Sequence, residues 1–423
     1  MMTIIVLVLC LITSSTYIIE GRNNKEKVGL ANVAPLPIGG VYDVTKYHAV
    51  GDGFDDTEEG ESANAMGFIQ AWRAACDSSG VTRVIIPKGN FVIGPVLFSG
   101  PCKSKVTVEI QGTVLANTDI SLYPEPFVIM FENVNDVTLT GTGIVDGQGA
   151  KHWGNNDCSG NNDCAPLPTS IKFHRTNNTL VEGVKSINPM FFHMFVSNCQ
   201  NVTIRGVKLE APFNSPNTDG IHIGSSEFIT VANTIIGTGD DCVSIGHGSK
   251  NINVLGVTCG PGHGISVGSL GKYKDELEVV GVLVKNCTLS GTTNGARIKS
   301  WPGNKPNKAS AITFEDIIMD HVKNPIIIDQ QYGKKASSEA SHVKISDVHF
   351  RNIRGTSATT ELATFDCSPL LPCTDIEVAD VSLTFDGKAA IHKKLPLTKA
   401  IGSVVNCLNA KVVFKGKHDG INC

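Results

Sequence analysis

The chain has 423 residues, 41% hydrophobic and 18% charged, with a formal net charge of −4 and a pI near 6.3. That balance excludes a general nucleic-acid binder, so any basic surface has to be local. The length would ordinarily suggest two or three domains, unless one extended architecture accounts for it.

The chain opens with "MMTIIVLVLCLITSSTYIIEG", in which an apolar run from Ile4 to Ile12 precedes small polar residues. This pattern predicts a secretory signal over residues 1–21, and the run is too short to cross a bilayer as a helix. No later segment has the length and apolarity of a membrane helix, so no membrane partner is expected.

"VYDVTKYHAVGDGFDDT", from Val41, reads as a first strand and turn. In "ANAMGFIQAWRAACDSSG", which follows, Phe68, Ala71, Trp72 and Ala75 fall at i, i+3, i+4 and i+7 and give a helix one apolar face. Laid across the open end of a stacked β fold, such a helix would shield unpaired strand edges.

From there on the chain repeats itself. "DGIHIG" at 219, "DCVSIG" at 241, "HGISVG" at 263 and "NGARIKS" at 294 align at spacings of 22, 22 and 31, and "NPIIID" at 324 follows after 30. Short β-branched runs lie between them, such as "NVTIRGVKL" and "NINVLGVTC", each closed by Gly, Asn or Asp. Units of this size built only from short strands predict an all-β, single-domain parallel β-helix over residues 41–423, with the helix as N-terminal cap. A sandwich would need two-residue hairpins, which are scarce, and a propeller would need repeats of about 40 residues.

Residues one repeat apart stack at roughly the interstrand spacing of ~4.8 Å. Asp219, Asp241 and His263 therefore share a column, with Asp240 beside it, and Arg297 and Lys299 point to one face of the next coil. Three carboxylates, an imidazole and two cations are expected on the outside, where the charges can be solvated. This composition suits acid/base hydrolysis of a glycosidic bond in an acidic sugar polymer. Crowding should raise the pKa of at least one aspartate and separate the acid from the base. Arg297 and Lys299 are expected to pair with a substrate carboxylate. Calcium is the competing use of clustered aspartates, and the adjacent Arg, Lys and His oppose it, so no metal is expected.

Removing Cys10 with the signal leaves an even number of the 13 cysteines. The short separations Cys158/Cys164, Cys242/Cys259, Cys367/Cys373 and Cys407/Cys423 read as local disulfides, and Cys199 and Cys287 as free buried thiols. Sequons at Asn177, Asn201 and Asn286 are candidate glycosylation sites.

"NTD" at 217–219, "GDDC" at 239–242, "GPGHGISVGS" at 260–269, "RIK" at 297–299 and "NPIIIDQQY" at 324–332 resemble the polygalacturonases of glycoside hydrolase family 28. The resemblance runs from about Val41 to Cys423. It implies a right-handed helix, inverting hydrolysis of α-1,4-galacturonosyl bonds and no cofactor. Asp240 would be the general acid, with Asp219 and Asp241 holding the water and His263 tuning the acid. Asn217, Arg297, Lys299 and Tyr332 would line the site and bind galacturonate, and Cys242–Cys259 would be a disulfide beside the catalytic turn. The lengthened "EEGESANA" and His48, where the family usually has glycine, depart from the pattern. One tension is spacing: ~4.8 Å between stacked aspartates is less than the about 6.5–9.5 Å of inverting pairs.

The expected protein is a secreted, monomeric enzyme of the cell wall acting on polygalacturonate, with no nucleic-acid partner. "GDDCVSIGHGS" resembles the pollen-type exo-enzymes, since endo-enzymes more often carry another residue where Gly246 stands, and the longer spacings after His263 leave room for loops that close a cleft. An endo-enzyme, a non-catalytic pectin-binding wall protein and a calcium-dependent lyase are the alternatives.

Overall fold

Interior strand positions are filled by residues stacked on their counterparts one coil away. One such column runs Phe98, Phe131, Phe173, Val196, Ile223, Ile245, Val267, Ile298, Ile328 and Phe365, all in parallel register. The first three rings pack at centroid distances of 5.1 Å, and a second stack, Phe314 on Phe350, lies at 5.5 Å. Each fully buried side chain of this size contributes about 1.5–3 kcal/mol, so one coil cannot close a core and a stack can.

The computed structural model describes residues 38–54, 57–58, 61–156, 164–333, 339–387, 404–419 and 421–423. Within Pro37–Cys423 the strands form a 21-stranded sheet of two ladders and an 11-stranded sheet, both paired in parallel, and Thr57–Glu58 pairs antiparallel with Glu61–Ser62. The result is a right-handed parallel β-helix. The two ladders merge at the long bent strands Gly303–Val322 and Ser341–Ser357. The turns repeat as well: Asn178, Asn201, Asn251, Asp347 and Asp375 all have φ between 53° and 57°, a left-handed corner that Asn and Asp tolerate. These residues stand where the short runs begin, as Asn201 does in Gln200–Arg205 and Asn251 in Lys250–Leu255.

The capping helix spans Ala63–Cys76, and Ser62 starts it by accepting a hydrogen bond from the Ala65 amide. Phe68, Ala71, Trp72 and Ala75 are all buried. Trp72 stacks on Phe98 at 4.8 Å and donates its indole N–H to the Ser99 carbonyl at 2.9 Å. His48 adopts φ 70° at the end of a short 3₁₀ turn, a conformation glycine takes without strain.

Cys242–Cys259, Cys367–Cys373 and Cys407–Cys423 are disulfides, and Cys199 and Cys287 are free and buried. Cys164 is also disulfide-bonded; its expected partner Cys158, like the signal over 1–21, lies outside the described residues. Cys76–Cys102, which no short spacing announces, ties the end of the capping helix to the following coil. Asn177, Asn201 and Asn286 are exposed. Among the described residues no helix is long and apolar enough to cross a membrane.

Candidate active site

The 11-stranded sheet carries the site on its outer face. Ile221 pairs with Val243 and Val243 with Ile265, so Asp219, Asp241 and His263, two residues upstream, follow one register. The ladder continues into these turns, with the Gly220 amide bonded to the Asp241 carbonyl and that of Cys242 to Gly264. Ile265 pairs with Ala296 and brings Asn294 into the same column, where its side-chain amide donates to the His263 carbonyl at 3.3 Å. The Cys242–Cys259 disulfide anchors the turn holding the adjacent aspartates.

Oxygens of Asp240 and Asp241 and a ring nitrogen of His263 converge within 4.8 Å of one another. His263 Nδ1 lies 3.0 Å from Asp240 Oδ1, which also accepts the Asp241 amide at 2.8 Å. Both contacts fall on one oxygen, leaving Asp240 Oδ2 as the atom that can face a substrate. The Asp240 side chain is 21% exposed against 1% for Asp241.

The charges do not sit in solvent as expected. Asp219, Asp241, Arg297 and Lys299 are on the outside of the coil, yet they are 7%, 0%, 8% and 6% exposed. The solvation that strand parity suggests is replaced by an ion triad. Arg297 Nη2 and Lys299 Nζ bond the two oxygens of Asp241 at 2.5 and 2.8 Å. Ser266 adds a hydrogen bond to Asp241 Oδ1 at 2.9 Å and accepts one from Arg297 Nε at 2.8 Å. The two cations expected to hold a substrate carboxylate thus first hold a carboxylate of the protein.

Electrostatics divides the aspartates. Burial pushes the Asp219 carboxyl well above its usual range, and the charges of Asp240 and Asp241 push it further. Burial works in the same direction on Asp241, but Arg297, Lys299 and then His263 overcome it and hold Asp241 far below the ordinary value. Asp219 is therefore the reluctant anion and Asp241 the permanent one. The separation expected from crowding is present, with burial as its first cause. A divalent ion does not fit this set, because Asp241 is already neutralised by two cations.

Ser244 donates to Asp219 Oδ2 at 2.6 Å and receives His222 Nδ1 at 2.7 Å. Burial, and then Lys299, hold the His222 imidazole down to about 4, so it is neutral and donates through Nδ1. His222, Ser244 and Ser266 were not anticipated as site residues. They occupy the fourth position of the aligned repeats, in register with Arg297, and reading the alignment downward would have found them.

Asn217 has φ 53° in the turn before Asp219, and its buried Oδ1 has no hydrogen-bond partner. The Tyr332 ring lies 4.9 Å from Lys299 Nζ. All eight expected site residues thus lie on or beside one face of five neighbouring coils.

The sequence profile of glycosyl hydrolases family 28 matches residues 76–402. The chain belongs to this family. It is 47% identical over 377 residues to an exopolygalacturonase of Arabidopsis thaliana, covering 89% of this chain and 86% of that one. Identity to an exopolygalacturonase of Zea mays is 42%, over 94% and 96% of the two chains, and to one of Platanus acerifolia 40%, over 90% and 96%. Among solved structures, an exopolygalacturonase of Thermotoga maritima superimposes with a TM-score of 0.70 at 19% identity, over 88% and 90% of the chains, a likeness of fold.

Proposed function

We propose that the protein is a secreted, monomeric exopolygalacturonase of the cell wall that hydrolyses α-1,4-galacturonosyl bonds from a chain end with inversion. The carrying observation is the convergence of Asp240, Asp241 and His263 beside Arg297 and Lys299. Asp240, through its free Oδ2, gives a proton to the leaving glycosidic oxygen. Water attacks the anomeric carbon as that C–O bond breaks. The water's proton passes to Asp219 or Asp241, of which Asp241 is ionised throughout. His263 hydrogen-bonds Asp240 and keeps its proton on the outer oxygen. Asn217, Arg297, Lys299 and Tyr332 meet the galacturonate unit; Arg297 Nη1 makes no hydrogen bond to a described residue and is available to its carboxylate.

Inversion is supported by family membership and not by spacing, because Asp240 and Asp241 approach more closely than the general rule for inverting pairs. The exo mode is supported by the named relatives at 40–47% identity. Gly246 is buried beside His222, and a Cβ there would lie 3.4 Å from that ring. A lyase using Arg297 as base is disfavoured, because Arg297 is paired with Asp241. Incubation with polygalacturonate tests the reading. Monomeric galacturonate should appear while viscosity hardly falls; a rapid viscosity drop with mixed oligomers would mean endo-cleavage, and no product would refute the assignment.

A further inference from the structure

Beyond the catalytic column lies a cavity of about 410 Å³ lined by Lys272, Trp301, Lys305, Glu339 and His342, a volume within the range of small-molecule sites. It is joined to the site by a ladder of cations and rings. Lys299 Nζ, bonded to Asp241, lies 4.9 Å from the Tyr332 ring centroid; Tyr332 meets Trp301 edge-on at 5.3 Å; Lys272 Nζ lies 5.3 Å from Trp301 on the cavity side.

Trp301 is seated with care. Gly333, at φ 76°, lies under the ring, and a Cβ there would come within 2.3 Å of it. The indole N–H is buried without a hydrogen-bond partner among the described residues. Lys272 and Lys305 make no ion pair among the described residues. Among the described residues Glu339 is the one acid in the lining and is exposed; His342 Nδ1 contacts the Gly303 carbonyl at 2.9 Å. Two ammonium groups without an ion pair among the described residues, set beside an aromatic surface, fit a pyranose bearing a carboxylate.

The geometry points to this cavity as a second uronate subsite, which holds the next galacturonate unit and directs the body of the polymer away from the aspartates. The inference rests on the polygalacturonase reading. It sets the chain terminus at the opposite end of the site, towards His222.

Digalacturonate spans the cleaved bond and stops short of the cavity, whereas trigalacturonate reaches it. The wild-type enzyme should favour the trimer in kcat/KM by about tenfold, the equivalent of one well-placed charged contact. The double variant Lys272→Gln/Lys305→Gln should lose that preference through KM, with the dimer's constants held, and Lys272→Arg/Lys305→Arg should restore it. A double variant that keeps the trimer preference, or a wild type that shows none, overturns the subsite. A wild type that cleaves neither oligomer refutes the underlying polygalacturonase reading, so the two failures are distinguishable.

Discussion

The coils that carry the aspartates and those that carry the cations differ in length. From Ile221 to Val243 and from Val243 to Ile265 the register advances 22 residues; from Ile265 to Ala296 it advances 31, and from Ala296 to Ile326 it advances 30. The short coils have no residues to spare, so the positions of Asp219, Asp241 and His263 follow from the ladder alone. The longer coils hold the same interior column and turn their surplus outward, where Lys272, Trp301 and Lys305 line the cavity. On the proposed reading, chemistry sits on the rigid repeat and the added recognition on its insertions, the usual division between scaffold and loop.

If the short coils hold the chemistry, their most exposed carboxyl should be the most sensitive position. Asp240→Asn should lower kcat by about 10²–10⁴-fold with the thermal transition unchanged, because Asp240 is partly exposed and the amide is isosteric. Retained turnover in the folded variant would break the comparison.

Arg297 stands where the two regions meet. Its removal leaves Asp241 buried with half its compensation, and breaking a buried pair costs about 3–5 kcal/mol. Arg297→Ala should therefore unfold at lower denaturant as well as lose kcat, a larger effect than the rise in KM that a pure substrate-binding role predicts. A variant of wild-type stability with only KM raised would place Arg297 with the recognition residues.

Asp219→Asn sharpens the picture through pH. The folded-state pKa of Asp219 is raised, so its stabilisation is complete below the unfolded value of about 3.9 and is lost as pH rises through the folded value. Asparagine has no such loss. The variant should be inactive, and its Tm should exceed that of the wild type by an amount that grows above about pH 4. Asp241 has the opposite sign: its stabilisation is present above the unfolded value and is lost as pH falls towards its lowered folded one. A Tm difference independent of pH would mean that Asp219 ionises freely.

The same contrast explains what the chain reveals before it is folded. The 22-residue spacing is written in Ile221, Val243 and Ile265, because an interior column admits only residues that can stack. Once the column is known, Asp219, Asp241 and His263 are placed, and parity puts Arg297 and Lys299 on their face. Parity does not say which neighbour a long side chain reaches, so the ion triad on Asp241 and the low exposure of all its members were not legible. Nor was Cys76–Cys102, whose partners meet only because the capping helix ends over the next coil. The residues around Lys272 and Lys305 carry no period, and their convergence with Trp301 depends on three coils folding back to one place.

The stereochemistry of the first product tests the account most directly. With polygalacturonate as substrate, proton NMR in the opening minutes of digestion should show monomeric galacturonate in the β configuration, formed by one displacement at an α-linked anomeric carbon and turning into the α form only by later mutarotation. First-formed α-galacturonate would require two displacements, and an unsaturated product would require elimination. Either would contradict a site in which Asp240 protonates the leaving oxygen while Asp219 and Asp241 direct water to the opposite face.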